Sequence, residues 1–376
     1  MKTERLFDLD SFVSQFSATV LSCEKGEGGF AVVLDKTVFF PESGGQQSDV
    51  GNINGIPVTY VFEKDDTIIH ICENELFPGE TVNGQIDFSR RFGLMQNHSG
   101  EHIVSGIVNR NFGLNNVGFH LTTSGGTIDF DGELSTSDLL FVENLANKVV
   151  FENKNITCYY PEKTELQKLN YRSKREISGP VRIVEIQDTD LCACCAPHVK
   201  KTGQIGIIKL LGSERMRGGI RVNFKCGQPA LEDYRNRFNI THSLSDVLSV
   251  PSLQVEDGVK ALLKKCENAN QTVTALKKKM AEMVITSSKE EQTLFLFEDY
   301  QLPELQKLAD GISKKWGKPK IVLSKSQNGY LFSLCGANDN LFLCFKEKFN
   351  VRGGGRNGMY SGTVLADIKE IENFFK

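Results

Sequence analysis

His98 and His102 stand four residues apart, and Cys194 and His198 repeat that interval about ninety residues downstream. Side chains four apart on a helix share one face, so a single helix can aim both imidazoles at one point. Imidazole and thiolate are the donors zinc prefers, and a fold that gathers both clusters around one ion must close the long loop between them. The spacing therefore predicts a zinc site made of His98, His102, Cys194 and His198. Cys192 and Cys195 crowd the same stretch, and the interval alone leaves open which of the three thiols is the ligand. A lone His-x-x-x-His arises by chance on many helices; the Cys-x-x-x-His pair is what raises the reading above chance. The same four donors also suit a closed tetrahedral zinc that only staples the fold. His98-Ser-Gly-Glu101-His102 fits a protease signature too, with Glu101 as base and Glu176 as an acidic ligand, but that scheme leaves Cys194 and His198 without a role.

At 376 residues the chain exceeds one ordinary core, so two or three domains are expected. Hydrophobic residues make up 40% and charged residues 24%, the balance of a globular protein in water. The longest apolar runs fall short of a membrane span, and the opening MKTERLFDLD carries acids where a secretion signal needs an apolar stretch. Ten cysteines without an export signal imply reduced thiols and a cytoplasmic protein with no membrane contact. The net charge of −3 gives no general basic character, so nucleic-acid contact has to come from local patches.

The expected class is α+β. Residues 1–88 read as a small β-barrel, with strands at Ala18–Leu21, Gly29–Leu34, Val38–Phe40, Pro57–Phe62, Ile68–Cys72 and Val82–Asp87. Gly44-Gly45 marks a tight turn or close approach inside it. Residues 89–228 form a zinc-binding α/β domain. A helix from Ser89 to about Asn111 carries both histidines and turns Phe92, Met95, Ile103 and Ile107 inward, although Gly100 and Gly106 each cost it about 1 kcal/mol unless they permit close packing. Ser137–Asn153 reads as a second helix, and Ile156–Tyr160, Val181–Ile186, Ile205–Leu211 and Gly219–Phe224 as strands. Residues 229–293 are helical and charged, a connector with an apolar period suited to self-association. Residues 294–376 form a C-terminal α/β domain, with strands Thr293–Phe297, Lys320–Leu323, Tyr330–Cys335 and Leu341–Phe345, helices Pro303–Lys315 and Val364–Phe375, and a glycine loop at Arg352–Arg356.

Asp35-x-Thr37-x-Phe-Phe-Pro41-x-x-Gly44-Gly45-Gln46, Arg90-Arg91 leading into Asn97-His98-x-x-x-His102, and Cys194-x-x-x-His198-Val-x-x-Thr202-Gly203-x-Ile205-Gly206 follow one another in order. Together with Arg221-Val-x-Phe224 and Gly227-x-x-Ala230-Leu231, this series resembles the editing region of alanyl-tRNA synthetases, and most closely the free-standing AlaX proteins of the long form. Arg352-Gly-Gly-Gly-Arg356 resembles the glycine-rich motif of the DHH-associated domain that ends those synthetases. The chain departs from the family at Ala196-Pro197, where Gly-Thr is usual, and at Ser361-Gly362, a reduced second glycine stretch.

The resemblance implies hydrolysis of the aminoacyl ester of alanine tRNA mischarged with serine, or glycine, with Zn2+ as cofactor and a homodimer as the assembly. No phosphate-binding loop for ATP is present, and discharge rather than charging of tRNA is expected. Thr37 is the expected partner of the serine hydroxyl, Gln46 of a water or the terminal adenosine, and Glu101 a neighbour of a ligating imidazole or simply an exposed helix charge. Arg90, Arg91, Lys200, Arg217, Arg221 and Arg352 are the expected tRNA phosphate contacts, with Lys201, Arg215 and Lys277–Lys279 beside them. The contrasting reading is a non-catalytic tRNA-binding protein with a structural zinc, hinted at by Ala196-Pro197.

Overall fold

The computed structural model describes residues 2–26, 28–173, 179–327 and 329–375. They fall into two compact units, 1–243 and 244–376, with the boundary inside the helix Gly227–Leu248. No helix among the described residues is long and apolar enough to cross a membrane.

In the first unit, six strands close into a barrel, in the order Gln15–Gly26, Gly29–Leu34, Thr67–Cys72, Ile56–Lys64, Gly51–Ile53 and Thr81–Ile86. Alternation fills its interior: Val32 and Leu34, Ile68, His70 and Cys72, and Val82 and Ile86 are buried at every second position. Val38–Phe40, expected as a strand, is buried but irregular. Side chains have taken the backbone groups a ladder would use. Phe39 N–H donates to Thr37 Oγ1, Phe40 N–H donates to Asp49 Oδ2, and the Val38 carbonyl accepts from Arg91.

Asp87 caps the helix Phe88–Phe112 by accepting from Arg90 N–H, and Gly113 ends it in the left-handed region. This helix is buried around nearly its whole circumference from Leu94 to Val108. That burial explains the two glycines: a Cβ on Gly100 would lie 2.3 Å from Cys226 Sγ, and one on Gly106 would lie 2.8 Å from the Thr189 carbonyl. A sheet in the order Ile208–Met216, Gly219–Cys226, Gly125–Phe130, Asn116–Thr122 packs on one side, and the helix Thr136–Phe151 joins the same core. A second, three-stranded sheet, Ile156–Tyr159, Ile183–Ile186, Asp190–Ala193, leads directly into Cys194.

The second unit takes in the end of the helix Gly227–Leu248, a short 3-10 turn at Ser252–Gln254 and the long helix Val255–Ser287. Its sheet runs Leu294–Phe297, Lys320–Ser326, Gly329–Cys335, Met359–Val364, Arg352–Arg356, with helices Leu302–Trp316, Asp339–Phe349 and Ile368–Phe375. Leu341–Phe345, expected as a strand, lies within a helix. Asn338 caps it by accepting from Leu341 N–H, and Phe342, Phe345 and Phe349 recur at helical spacing on the buried face. The predicted glycine loop is an edge strand paired with Met359–Val364, and the last helix starts at Ile368 rather than Val364.

Candidate metal centre

The ligand atoms of His98, His102, Cys194 and His198 all lie within 4.8 Å of one another. The two helical histidines stack at 5.5 Å between ring centroids, and His198 stands edge-on to both, 4.9 Å from His98 and 4.8 Å from His102. Cys194 Sγ is 3.5 Å from His98 Nε2. Cys194 is thus the thiol that faces the histidines. Cys195 turns outward to Ser43, and Cys192 lies with His102 and Asp190 in a neighbouring group.

Each imidazole is held through its Nδ1. His98 Nδ1–H donates to Gln46 Oε1 at 2.7 Å, His102 Nδ1–H donates to Asp190 Oδ2 at 3.0 Å, and His198 Nδ1 is bonded to Ser99 Oγ at 3.0 Å. For His98 and His102 these bonds occupy Nδ1 and turn Nε2 toward the cluster, the orientation that ligating histidines require. His198 Nε2 is buried without any hydrogen-bond partner, an atom that burial makes costly unless something binds it. Burial pushes the His198 pKa down to about 3, so that imidazole is neutral. Burial works against a Cys194 thiolate, yet the facing imidazoles of His98, His102 and His198 outweigh it and hold the thiol well below its usual range. Three imidazole nitrogens, one of them without a hydrogen-bond partner, and one thiolate are a donor set that fits a zinc ion.

The loop around Cys194 is shaped by residues that spacing did not reveal. Arg182 donates to the carbonyls of Cys194 at 3.1 Å and Ala196 at 2.9 Å, and Ser11 Oγ donates to the His198 carbonyl at 2.7 Å. Ala196 N–H donates to Cys194 Sγ at 3.5 Å, so Ala196-Pro197 keeps a backbone donor on the sulfur. Ser99, Arg182 and Asp190 carry no motif of their own; only the fold shows what they touch.

Gln46 reaches His98 from the turn Ser43–Gln46, where Gly44 and Gly45 have φ of 62° and 83°. Gly45 must be glycine: a Cβ there would sit 2.3 Å from the Phe119 carbonyl. The Gln46 side chain is buried, and its Nε2 has no partner. Glu101 is buried rather than exposed; it accepts from Ser105 Oγ at 2.7 Å and from Asn116, and its other oxygen lies 3.9 Å from His102 Nε2. Glu176, the acid required by the protease scheme, lies outside the described residues. Thr37 is buried in the barrel, where its hydroxyl accepts from Phe39 N–H and donates to His70 Nε2 at 2.9 Å. His70 Nδ1–H donates to the Val32 carbonyl, and burial lowers its pKa to about 4.

The expected phosphate contacts divide sharply. Arg91 is fully buried, with Nε donating to Asp49 at 2.9 and 3.0 Å and the other nitrogens to the carbonyls of Ser11 and Val38. It cannot reach a phosphate, because its guanidinium closes a buried charge pair. Arg90 is half-buried and donates to Gln47 and the Ser48 carbonyl. Arg221 is paired through both oxygens of Asp129, and Lys200 pairs with Asp10 at 3.0 Å. Arg217 and Arg352 are exposed.

Comparison with known proteins gives this geometry a context. Residues 181–223, which hold Cys194 and His198, match the family described as the Threonyl and Alanyl tRNA synthetase second additional domain, and residues 8–90 match tRNA synthetases class II (A). The alanine–tRNA ligase of Pyrococcus abyssi is 31% identical over 381 residues, covering 95% of this chain and 41% of the ligase. The chain is related to the alanyl-tRNA synthetases. The ligase of Halobacterium salinarum is 31% identical over 75% of the chain and 32% of the ligase, and that of Methanococcus vannielii 27% identical over 98% and 43%. The chain therefore spans about two fifths or less of the length of these relatives. His98 and His102 fall between the two matched segments, and the fold delivers them to the cysteine cluster.

Proposed function

We propose that the protein edits tRNA in trans, removing serine, or glycine, from mischarged alanine tRNA by zinc-assisted hydrolysis of the aminoacyl ester. One observation carries this reading: four metal donors from two remote segments converge beside a glycine turn whose Gln46 carries a buried, unbonded amide nitrogen. His98, His102, Cys194 and His198 would hold the ion. A zinc ion there supplies a fixed positive charge that can polarise an ester carbonyl or anchor a substrate group. Gln46 holds His98 with its oxygen and keeps two N–H donors for a water or the terminal adenosine. The Thr37 hydroxyl already donates to His70, so it meets a serine hydroxyl as an acceptor. Glu101 supplies negative charge beside His102 while Ser105 and Asn116 hold it in place. Lys200, Arg90, Arg217 and Arg352 serve the tRNA backbone. Exposed Leu262, Leu263, Val273, Leu276 and Met280 on the long helix support association with a second copy, in the cytoplasm.

A second reading has its own observation. Four protein donors can complete a tetrahedral shell, which favours a zinc that only stabilises a tRNA-binding fold. Incubating zinc-loaded protein with Ser-tRNA(Ala), Gly-tRNA(Ala) and Ala-tRNA(Ala) decides between them. Editing requires ester loss from the serine or glycine substrate at least tenfold faster than from the alanine one, abolished in Cys194→Ala protein that remains folded. Binding of all three tRNAs without ester loss establishes the second reading.

A further inference from the structure

Two of the three cluster histidines rest on neutral groups, the Gln46 amide and the Ser99 hydroxyl; only His102 rests on a carboxylate. That carboxylate, Asp190, is buried, and a buried anion requires a countercharge and hydrogen bonds to both oxygens. Arg172 provides both: its Nε donates to Oδ1 at 2.7 Å and its Nη2 to Oδ2 at 2.8 Å, a two-point fork that fixes the plane of the carboxylate.

The backbone of Arg172 is tied to the same strand. Its N–H donates to the Leu191 carbonyl at 2.8 Å, and its own carbonyl accepts from Ala193 N–H at 2.9 Å. Arg172 therefore joins, by main chain and side chain at once, the strand Asp190–Ala193 that runs into Cys194. On the other side, a Cβ on Gly106 would be 2.9 Å from Asp190 Cβ, which shows how closely the histidine helix is seated against this acid.

We propose that Arg172 is a positioning residue of the metal centre: by clamping Asp190 it locks the His102 imidazole with Nε2 toward His98, Cys194 and His198. This rests on the cluster's being a zinc site. Without the fork, Asp190 is free to turn about its terminal bond, and His102 loses the partner that sets its ring plane and tautomer. Lysine keeps the charge but offers no planar fork, so it cannot replace both bonds.

The test uses the full chain as wild type, Arg172→Met, Arg172→Lys, Asp190→Asn and the Arg172→Met/Asp190→Asn double variant. Zinc affinity is measured by chelator competition, ligand geometry by the visible absorption of the Co2+ form, and folding of the metal-free protein by circular dichroism. Outer partners of ligating histidines are typically worth about 10–100-fold in metal affinity. We expect Arg172→Met to weaken zinc binding by about that factor and to alter the Co2+ spectrum with the fold retained, and Arg172→Lys to restore only part. In the Asp190→Asn background, Arg172→Met should add less than about threefold, because the two residues act in series. Unchanged affinity and spectrum in Arg172→Met, or an undiminished loss in the Asp190→Asn background, overturns the proposal. If Arg172→Met does not fold, Arg172→Lys alone and with Asp190→Asn decides by the same two criteria. Failure of the wild-type protein to bind zinc at all would instead overturn the metal reading beneath it.

Discussion

Replacement of Arg91 is expected to destabilise the first unit while leaving RNA binding intact. Its guanidinium is wholly buried and joins three segments: Asp49 of the barrel loop, the Ser11 carbonyl near the N-terminus and the Val38 carbonyl beside Thr37. Asp49 in turn accepts from Phe40 N–H at 2.7 Å, so the pair also fixes the irregular stretch before the glycine turn. Replacing Arg91 by Met leaves the Asp49 carboxylate buried without its cation. Breaking a buried pair in this way costs about 3–5 kcal/mol. For a unit of 243 residues, each kcal/mol moves the melting midpoint by roughly 2–4 °C, so a fall on the order of 10 °C is expected. Urea and thermal unfolding followed by circular dichroism measure it, with the transition of the first unit fitted separately. The Arg91→Met/Asp49→Leu double variant should lose less than the sum of the single changes by more than about 1.5 kcal/mol, because both charges leave together. Folded Arg91→Met protein should bind tRNA within a factor of about two of wild type. Stability within about 1 kcal/mol of wild type, together with weakened tRNA binding and a shallower salt dependence, would refute the burial argument and return Arg91 to the phosphate contacts.

Two further outcomes follow from the same kind of reasoning. His70 is neutral in the folded barrel with a pKa of about 4 against an ordinary 6.5, so the unfolded chain binds its proton first as the pH falls. Stability from this residue is complete above about pH 6.5 and declines by up to roughly 3 kcal/mol on acidification to pH 4, at 1.36 kcal/mol per pH unit. Comparing wild type with His70→Asn by urea unfolding across that range should show a steeper acid slope in wild type, and equal slopes would contradict it. Gly106→Ala should destabilise the protein even though alanine favours helices by about 1 kcal/mol, because the added methyl meets the Thr189 carbonyl and Asp190, and overpacking costs about 1–3 kcal/mol. A rise in the melting midpoint would show that the helix has room there.

His98, His102, Cys194 and His198 were legible before any fold was known, because ligand chemistry leaves few residue types and helical geometry few spacings. The barrel strands were legible for a similar reason: Gly29–Leu34 and Ile68–Cys72 alternate, and alternation is a property of the chain alone. Leu341–Phe345 is helical where its sequence suggests a strand because a short apolar run suits either period; the capping Asn338 and the more distant Phe349 decide for helix. Val38–Phe40 departs from the expected strand because its hydrogen bonds go to the side chains of Thr37, Asp49 and Arg91, the last of which is remote in sequence.

What the sequence alone determined is which atoms are able to bind a metal and which segments are able to fold as strand or helix, since both depend on neighbours a few residues away. What only the tertiary structure decided is which charges face water and which are spent inside. Arg91, Asp190, Arg172 and Glu101 look like ordinary surface charges in one dimension, and each is buried or clamped by a partner that the chain reaches only after folding. Desolvation and pairing are long-range properties, set by the fold rather than by the residue.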